Sequence, residues 1–442
     1  MKSPLKCVTA ALLALFEFAL PAAGVHAQST FVYTNDYVLG PNTVSMFTVG
    51  AGGTLGPPTT FLTGGTAGAP GFYASHRITT ATTSTGSFLF ASNGAGNLAN
   101  PATNDISAFS INPTSGLLTL VGPPVGTGAS GPNEISLAAT PNGQFLYSGN
   151  SSFSGTVSGF AIGPTGALTL LPGFPIPVSG APDGMTVSPD GKFLAVALSL
   201  VNTVAMFGIG PTGALTAVPG SPFPGGSGGT NTDVVINCAS NLLFTGNSHP
   251  LVTVYTIASN GVLTQIAGSP FTIGGSDSNV GVLSPDDRFL FVSNQSGQTI
   301  TSLNVAAGGS LTPVTGSPFP NSGATPSRMA TNQAGTLLYA ANLRNTVSGF
   351  SIASNGALSP VAGSPFSTGS PGNLLSLTVF PAKTCGCKDD DAEGTGDDQG
   401  DEHDRRRHRR DSEDRDMDRR HSRDCGGVGE IESEGGDREH DR

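Results

Sequence analysis

One pattern occurs seven times in this chain, and it constrains the fold more than any other feature. An apolar run opens each unit: FVYTN at Phe31, FLFASN at Phe88, FLYSGN at Phe145, FLAVAL at Phe193, LLFTGN at Leu242, FLFVSN at Phe289 and LLYAAN at Leu337. The spacings are 57, 57, 48, 49, 47 and 48 residues. A second run follows each, as in NTVSMF at Asn42, GTVSGF at Gly155 and NTVSGF at Asn345. It alternates β-branched with small or polar residues, which is the period of a strand. A turn with glycine second and leucine fourth comes next, at Gly53, Gly116, Gly166, Gly213, Gly261, Gly309 and Gly356. Glycine there permits the positive φ of a tight turn, and the leucine two places on starts another strand.

A Pro/Gly/Ser-rich connection, often GSPF, then leads into a further apolar strand such as GMTVSPDGK. Four short antiparallel strands in roughly 48 residues is the size of one propeller blade. No segment has a helical period, so a helical solenoid is excluded. A β-sandwich does not account for seven copies. The body begins on the second strand type at Phe31 and ends on the first, Asn373 to Phe380 (NLLSLTVF). We therefore expect an all-β, seven-bladed propeller. One blade is built from both ends of the chain, with the C-terminal strand innermost beside Phe31–Thr34. This closure removes an open edge.

Charge divides the chain into two materials. Of 20 Lys+Arg and 31 Asp+Glu, residues 1–382 hold 7 and 10, and residues 383–442 hold 13 and 21. A body so poor in cations is unsuited to nucleic acid, which is gripped through its phosphates. The last 60 residues read as a disordered polyampholyte tail. Residues 1–27 read as a signal peptide, with Lys2 and Lys6 before an apolar run and Val25-His26-Ala27 at the cleavage site. Export to the periplasm or the extracellular space is expected. The propeller then occupies 28–382, with no membrane span. Cys238 reads as a small buried apolar side chain. Cys385, Cys387 and Cys425 of the tail leave an odd thiol that could couple otherwise monomeric chains.

The runs FLY-x-x-N, NTVS-x-F, TGALT and SPDGKFL, with FVYTN at Phe31, resemble the YVTN-repeat propellers. These are similar to the seven-bladed lactonase family, which includes 6-phosphogluconolactonase-like enzymes. The resemblance covers about residues 29–382. It implies a site at the mouth of the central channel where Arg, Glu and His act on a sugar lactone without metal. It also implies the alternative of a non-catalytic extracellular module for a protein or glycan partner, since some such propellers look like surface or adhesion modules.

On propeller geometry, the connection into each innermost strand and the loop between second and third strands lie on one face. His76 and Arg77 fall before one innermost strand and Glu134 at the start of the next. Asp183, Asp233, Asn279, Arg328 and Asn373 fall near the equivalent place in the other units, and His249 in a second-to-third-strand loop. Glu134 or neutral His76 is the expected general base for water, and Arg77 or Arg328 the expected oxyanion stabiliser. Asp183, Asp233, Asn279, Asn373 and His249 are the expected substrate contacts. The longer loops of the first two units lie on the same face, and insertions in repeats often mark the binding face.

No metal or cofactor is called for. SPDG at Ser188 and SPDD at Ser284 read as turns. There is no nucleophile elbow and no phosphate-binding loop. Asp389-x-Asp391-x-Glu393-Gly394 imitates the start of a calcium loop, but Gly400 stands where the bidentate Glu belongs.

Overall fold

The computed structural model describes residues 29–67, 76–94, 104–129, 134–152, 154–226, 228–275, 278–372 and 376–385. Seven antiparallel sheets form seven blades. Their innermost strands are Ser376–Phe380, Ile78–Thr83, Glu134–Ala139, Pro182–Val187, Asn231–Ile236, Ser278–Leu283 and Pro326–Thr331, for blades 1 to 7 in turn. Each innermost strand neighbours the next, and the series closes on itself. Blade 1 takes three strands from the start of the body and one from its end. Phe31 pairs with Phe380, and Asn35 with Ser376.

The repeat motifs describe bonds as well as strands. The Asn that ends the second strand donates from Nδ2 to the Thr and Ser of the third. Asn150 reaches Thr156 at 3.0 Å and Ser158 at 2.9 Å, and Asn342 reaches Thr346 at 3.1 Å and Ser348 at 2.9 Å. The alternation of NTVS puts both hydroxyls on one side of the strand, where a buried amide needs acceptors. The turn glycines lie against the preceding blade. A Cβ on Gly356, at φ +81, would stand 2.5 Å from the Phe289 ring. That motif is therefore an interlock between blades.

The GSPF connection differs from the single fourth strand expected. The outer edge of blades 2 to 7 is broken into a three-residue and a two-residue piece, both paired with the third strand. In blades 4 to 7 the Ser-Pro bond is cis. The serine Oγ accepts from a third-strand N–H, for example Met206 N at 2.9 Å from Ser221. Short, proline-interrupted outer strands are poor templates for edge pairing. Blade 1 has instead a continuous outer strand, Thr59–Ala67.

The core is a set of apolar clusters, most of them between neighbouring blades. One joins Val235, Phe244 and Val254 of blade 5 to Leu283, Leu290 and Leu303 of blade 6. Among the described residues no helix is long and apolar enough to cross a membrane. The propeller forms one compact unit that ends at Thr384. The leader, the insertions at 68–75 and 95–103, and the tail beyond Cys385 lie outside the described residues. Cys238 corrects a sequence reading: it is half-buried and disulfide-bonded, not a buried free thiol, and Cys385 is disulfide-bonded as well.

Candidate functional site

The first residues of the seven innermost strands lie together at one end of the central channel. Alternation along a strand would send neighbouring side chains to opposite faces. In blades 4 to 7 the pairing of innermost and second strands slips at this end, between Pro182 and Met185, Asn231 and Asp233, Val280 and Val282, and Pro326 and Met329. Such bulges re-aim side chains and are frequent beside functional sites. Asp183, Asp233 and Arg328 all fall in or beside them.

Three of the expected residues meet. His76 Nε2 stands 2.8 Å from Asp233 Oδ1, and Arg328 Nη1 stands 3.0 Å from Asp233 Oδ2. These side chains come from blades 2, 5 and 7, so the cluster bridges the channel. Arg328 also donates to the Gly281 carbonyl at 2.8 Å. The Asp233 side chain is 1% exposed, His76 8% and Arg328 19%. Gly184 of blade 4 makes room, because a Cβ there would collide with Asp233. Burial lowers the His76 pKa and the Arg328 charge lowers it further, while Asp233 opposes both. The imidazole is therefore neutral near pH 7. Burial also lowers the Arg328 pKa, opposed by Asp233, and a guanidinium keeps its charge in proteins.

Arg77 is placed differently. Its side chain is fully buried, with the guanidinium carbon 3.9 Å from the centre of the Tyr37 ring, a cation–π distance. Its backbone ties blade 2 to blade 1, since Arg77 N donates to Ser376 Oγ and its carbonyl accepts from Asn35 Nδ2. Asp183 is buried beside Gly184. Asn279 is half-buried at the second position of its strand. Glu134 is the first residue of its strand and pairs with Ser151. His249 is exposed and lies near Gly228 and Gly229, which belong to the connection that leads into the Asp233 strand. Asn373 lies outside the described residues.

Asp36 was not among the expected residues. It is 1% exposed and accepts from Thr34, Thr43 and Ser45, each at 2.7 Å. Burial raises its pKa to about 6, against those three hydrogen bonds. The sequence signal was present, an aspartate directly after the strand-ending Asn of FVYTN. The two SPD turns are engaged locally. Ser188 donates to Asp190 and Ser284 to Asp286, each at 2.6 Å, and those carboxylates pair with Lys192 and Arg288. No group of His, Cys, Asp and Glu suited to a metal ion occurs among the described residues.

Seven blades and a closure shared by both ends define a closed seven-bladed β-propeller, with charged side chains gathered at one end of its channel. Residues 247–375 match the family model described as lactonase, 7-bladed beta-propeller. Solved structures of similar fold include a putative 6-phosphogluconolactonase from Bacteroides fragilis. It is 19% identical, with 80% of this chain and 99% of that chain covered and a TM-score of 0.61. The periplasmic gluconolactonase of Pseudomonas aeruginosa is 21% identical, with 78% and 98% covered and a TM-score of 0.60. At these identities the likeness is one of fold. No curated protein matches the chain.

Proposed function

We propose that this protein is an exported hydrolase that opens a sugar lactone at the rim of the central channel. The observation that carries the reading is the His76–Asp233–Arg328 cluster, drawn from three blades to the end of the channel where Glu134 begins its strand. Glu134 is the general base in this reading. It takes a proton from water as the water oxygen attacks the lactone carbonyl. Arg328 stabilises the oxyanion with the guanidinium nitrogens that Asp233 and Gly281 do not occupy. Collapse breaks the ring C–O bond, and Glu134 returns its proton to the departing ring oxygen. The product is the open hydroxy acid.

Burial of Arg77 favours Arg328 over it for the oxyanion role. Neutral His76, held against Asp233, keeps that carboxylate aimed at Arg328, so both act as positioning residues. Asp183, Asn279, Asn373 and His249 remain the proposed substrate contacts. The second reading is a binding propeller for a protein or glycan. It is favoured by Leu39 and Leu62 of blade 1, which are 70% and 67% exposed.

Proton release from a panel of aldonolactones, corrected for spontaneous hydrolysis, tests the first reading. Turnover by the purified protein should fall about 100-fold or more in Glu134→Gln and Arg328→Met. No turnover above background by the unaltered protein would leave the binding reading.

A further inference from the structure

The propeller extends two residues beyond the boundary expected at 382. The chain leaves blade 1 at Phe380, the end of its innermost strand away from the rim cluster. Lys383 Nζ then donates to the carbonyl of Leu283, the last residue of the blade 6 innermost strand, at 3.3 Å. Gln333, in the turn after the blade 7 innermost strand, donates to Thr384 Oγ1 at 3.0 Å. Blade 7 stands between blades 6 and 1, so residues 381–384 cross part of the far mouth of the channel. Asp287, in the blade 6 turn at that mouth, accepts from Cys238 N of blade 5 at 2.7 Å and ties the two turns together.

This short crossing puts a second cation behind the rim cluster. Arg328 takes the Gly281 carbonyl at 2.8 Å, with Asp233 beside it at 3.0 Å. Lys383 takes the Leu283 carbonyl, two residues or about 7 Å further along the same strand. The two cations therefore reach one strand from opposite ends of the channel. Lys383 is half-buried. Burial lowers its pKa to about 8, opposed by Asp287 and assisted by the Arg328 charge. Among the described residues these two are the charged groups that act on it. An ammonium there repels the guanidinium toward the rim and raises the positive potential around it, at a separation shorter than a Debye length.

We infer that Lys383 is a positioning residue of the proposed lactone site: its ammonium blocks the retreat of Arg328 toward the far end and adds positive charge behind the oxyanion. The inference rests on the hydrolase reading above. Lys383 does not touch the substrate. Its charge acts through Arg328 on the transition state, so its loss lowers kcat and leaves KM near the parental value. That charge is present below about pH 8 and is lost as pH rises through it, so kcat declines on the alkaline side.

The experiment follows kcat of the full-length purified protein from about pH 6 to about pH 9.5, on the aldonolactone it opens fastest and with spontaneous hydrolysis subtracted. Lys383→Met should lower kcat about 2- to 10-fold at neutral pH and abolish the alkaline decline. Lys383→Arg stays charged, so it should keep the parental kcat at neutral pH and also lose the decline. Thr384→Ala removes the neighbouring bond to Gln333 but leaves the ammonium, and should match the parent. Parental kcat and pH profile in Lys383→Met would overturn the inference. An equal loss in Thr384→Ala would overturn it too, by marking the segment as merely structural. Either result leaves the hydrolase reading intact. No turnover by the unaltered protein would overturn that reading, and this inference with it.

Discussion

Tyr339 of blade 7 donates its hydroxyl hydrogen bond to the carbonyl of Gly53 in blade 1, at 2.8 Å. The two residues are 286 positions apart. The same bond links Tyr147 to Gly213 at 2.9 Å and Tyr33 to Gly116 at 2.6 Å. In each case the aromatic residue of the second strand bonds the turn glycine of the next blade. Tyr339→Phe removes the donor and leaves a buried carbonyl short of a partner. We expect it to cost about 1–3 kcal/mol in urea unfolding. Tyr147→Phe, at an internal blade junction, should cost a similar amount.

Gly356 shows what the turn motif demands. Its φ of +81 disfavours any L side chain, and a Cβ would press on Phe289. Gly356→Ala should destabilise by roughly 1–3 kcal/mol. Gly308→Ala is the control, because a Cβ there meets nothing within 4 Å. Thermal unfolding of the two variants should separate them clearly.

Asp233→Asn removes the charge that His76 and Arg328 share. The arginine then keeps the Gly281 carbonyl but loses its charged partner. Breaking a buried pair in this way costs about 3–5 kcal/mol, although the partial exposure of Arg328 moderates it. We expect lower stability together with a fall in kcat rather than a rise in KM for the lactone. A variant that keeps both unfolding midpoint and turnover would remove Asp233 from the positioning role.

Asp36 gives a pH signature with a definite sign. Its native pKa, about 6, lies above the ordinary 3.8 expected of the unfolded chain. The native state therefore holds a proton that the unfolded state releases between pH 3.8 and 6. This group's contribution is greatest below that window and is lost as pH rises through it. The change is roughly 3 kcal/mol. Asp36→Asn should flatten the stability profile between pH 4 and 6 relative to the parent, as read by urea unfolding at each pH. An unchanged slope there would show that Asp36 titrates normally.

The blades were legible because their determinants are local. A strand-ending Asn, an NTVS run and a turn glycine each specify a bond or a φ within a few residues. The ring of charged residues could also be placed, since strand starts follow from the repeat. The partnerships within the ring could not. His76 reaches Asp233 across 157 positions because bulges in the innermost strands turn side chains out of strict alternation, and bulges leave little trace in sequence. Arg77 and His76 are adjacent in sequence but have separate surroundings, one against Tyr37 and the other against Asp233. Asp36 escaped notice because one carboxylate after a strand resembles any turn aspartate until Thr34, Thr43 and Ser45 converge on it.

The pairing of Phe31–Asn35 with Ser376–Phe380 has a consequence for how the protein is made. The opening strands leave the ribosome before the other six blades, yet their inner neighbour is synthesised after all of them. Blade 1 stays incomplete while all six other blades emerge, with its inner backbone groups unpaired throughout. A product that stops short of Ser376 would keep that gap permanently and offer it to any extended peptide nearby.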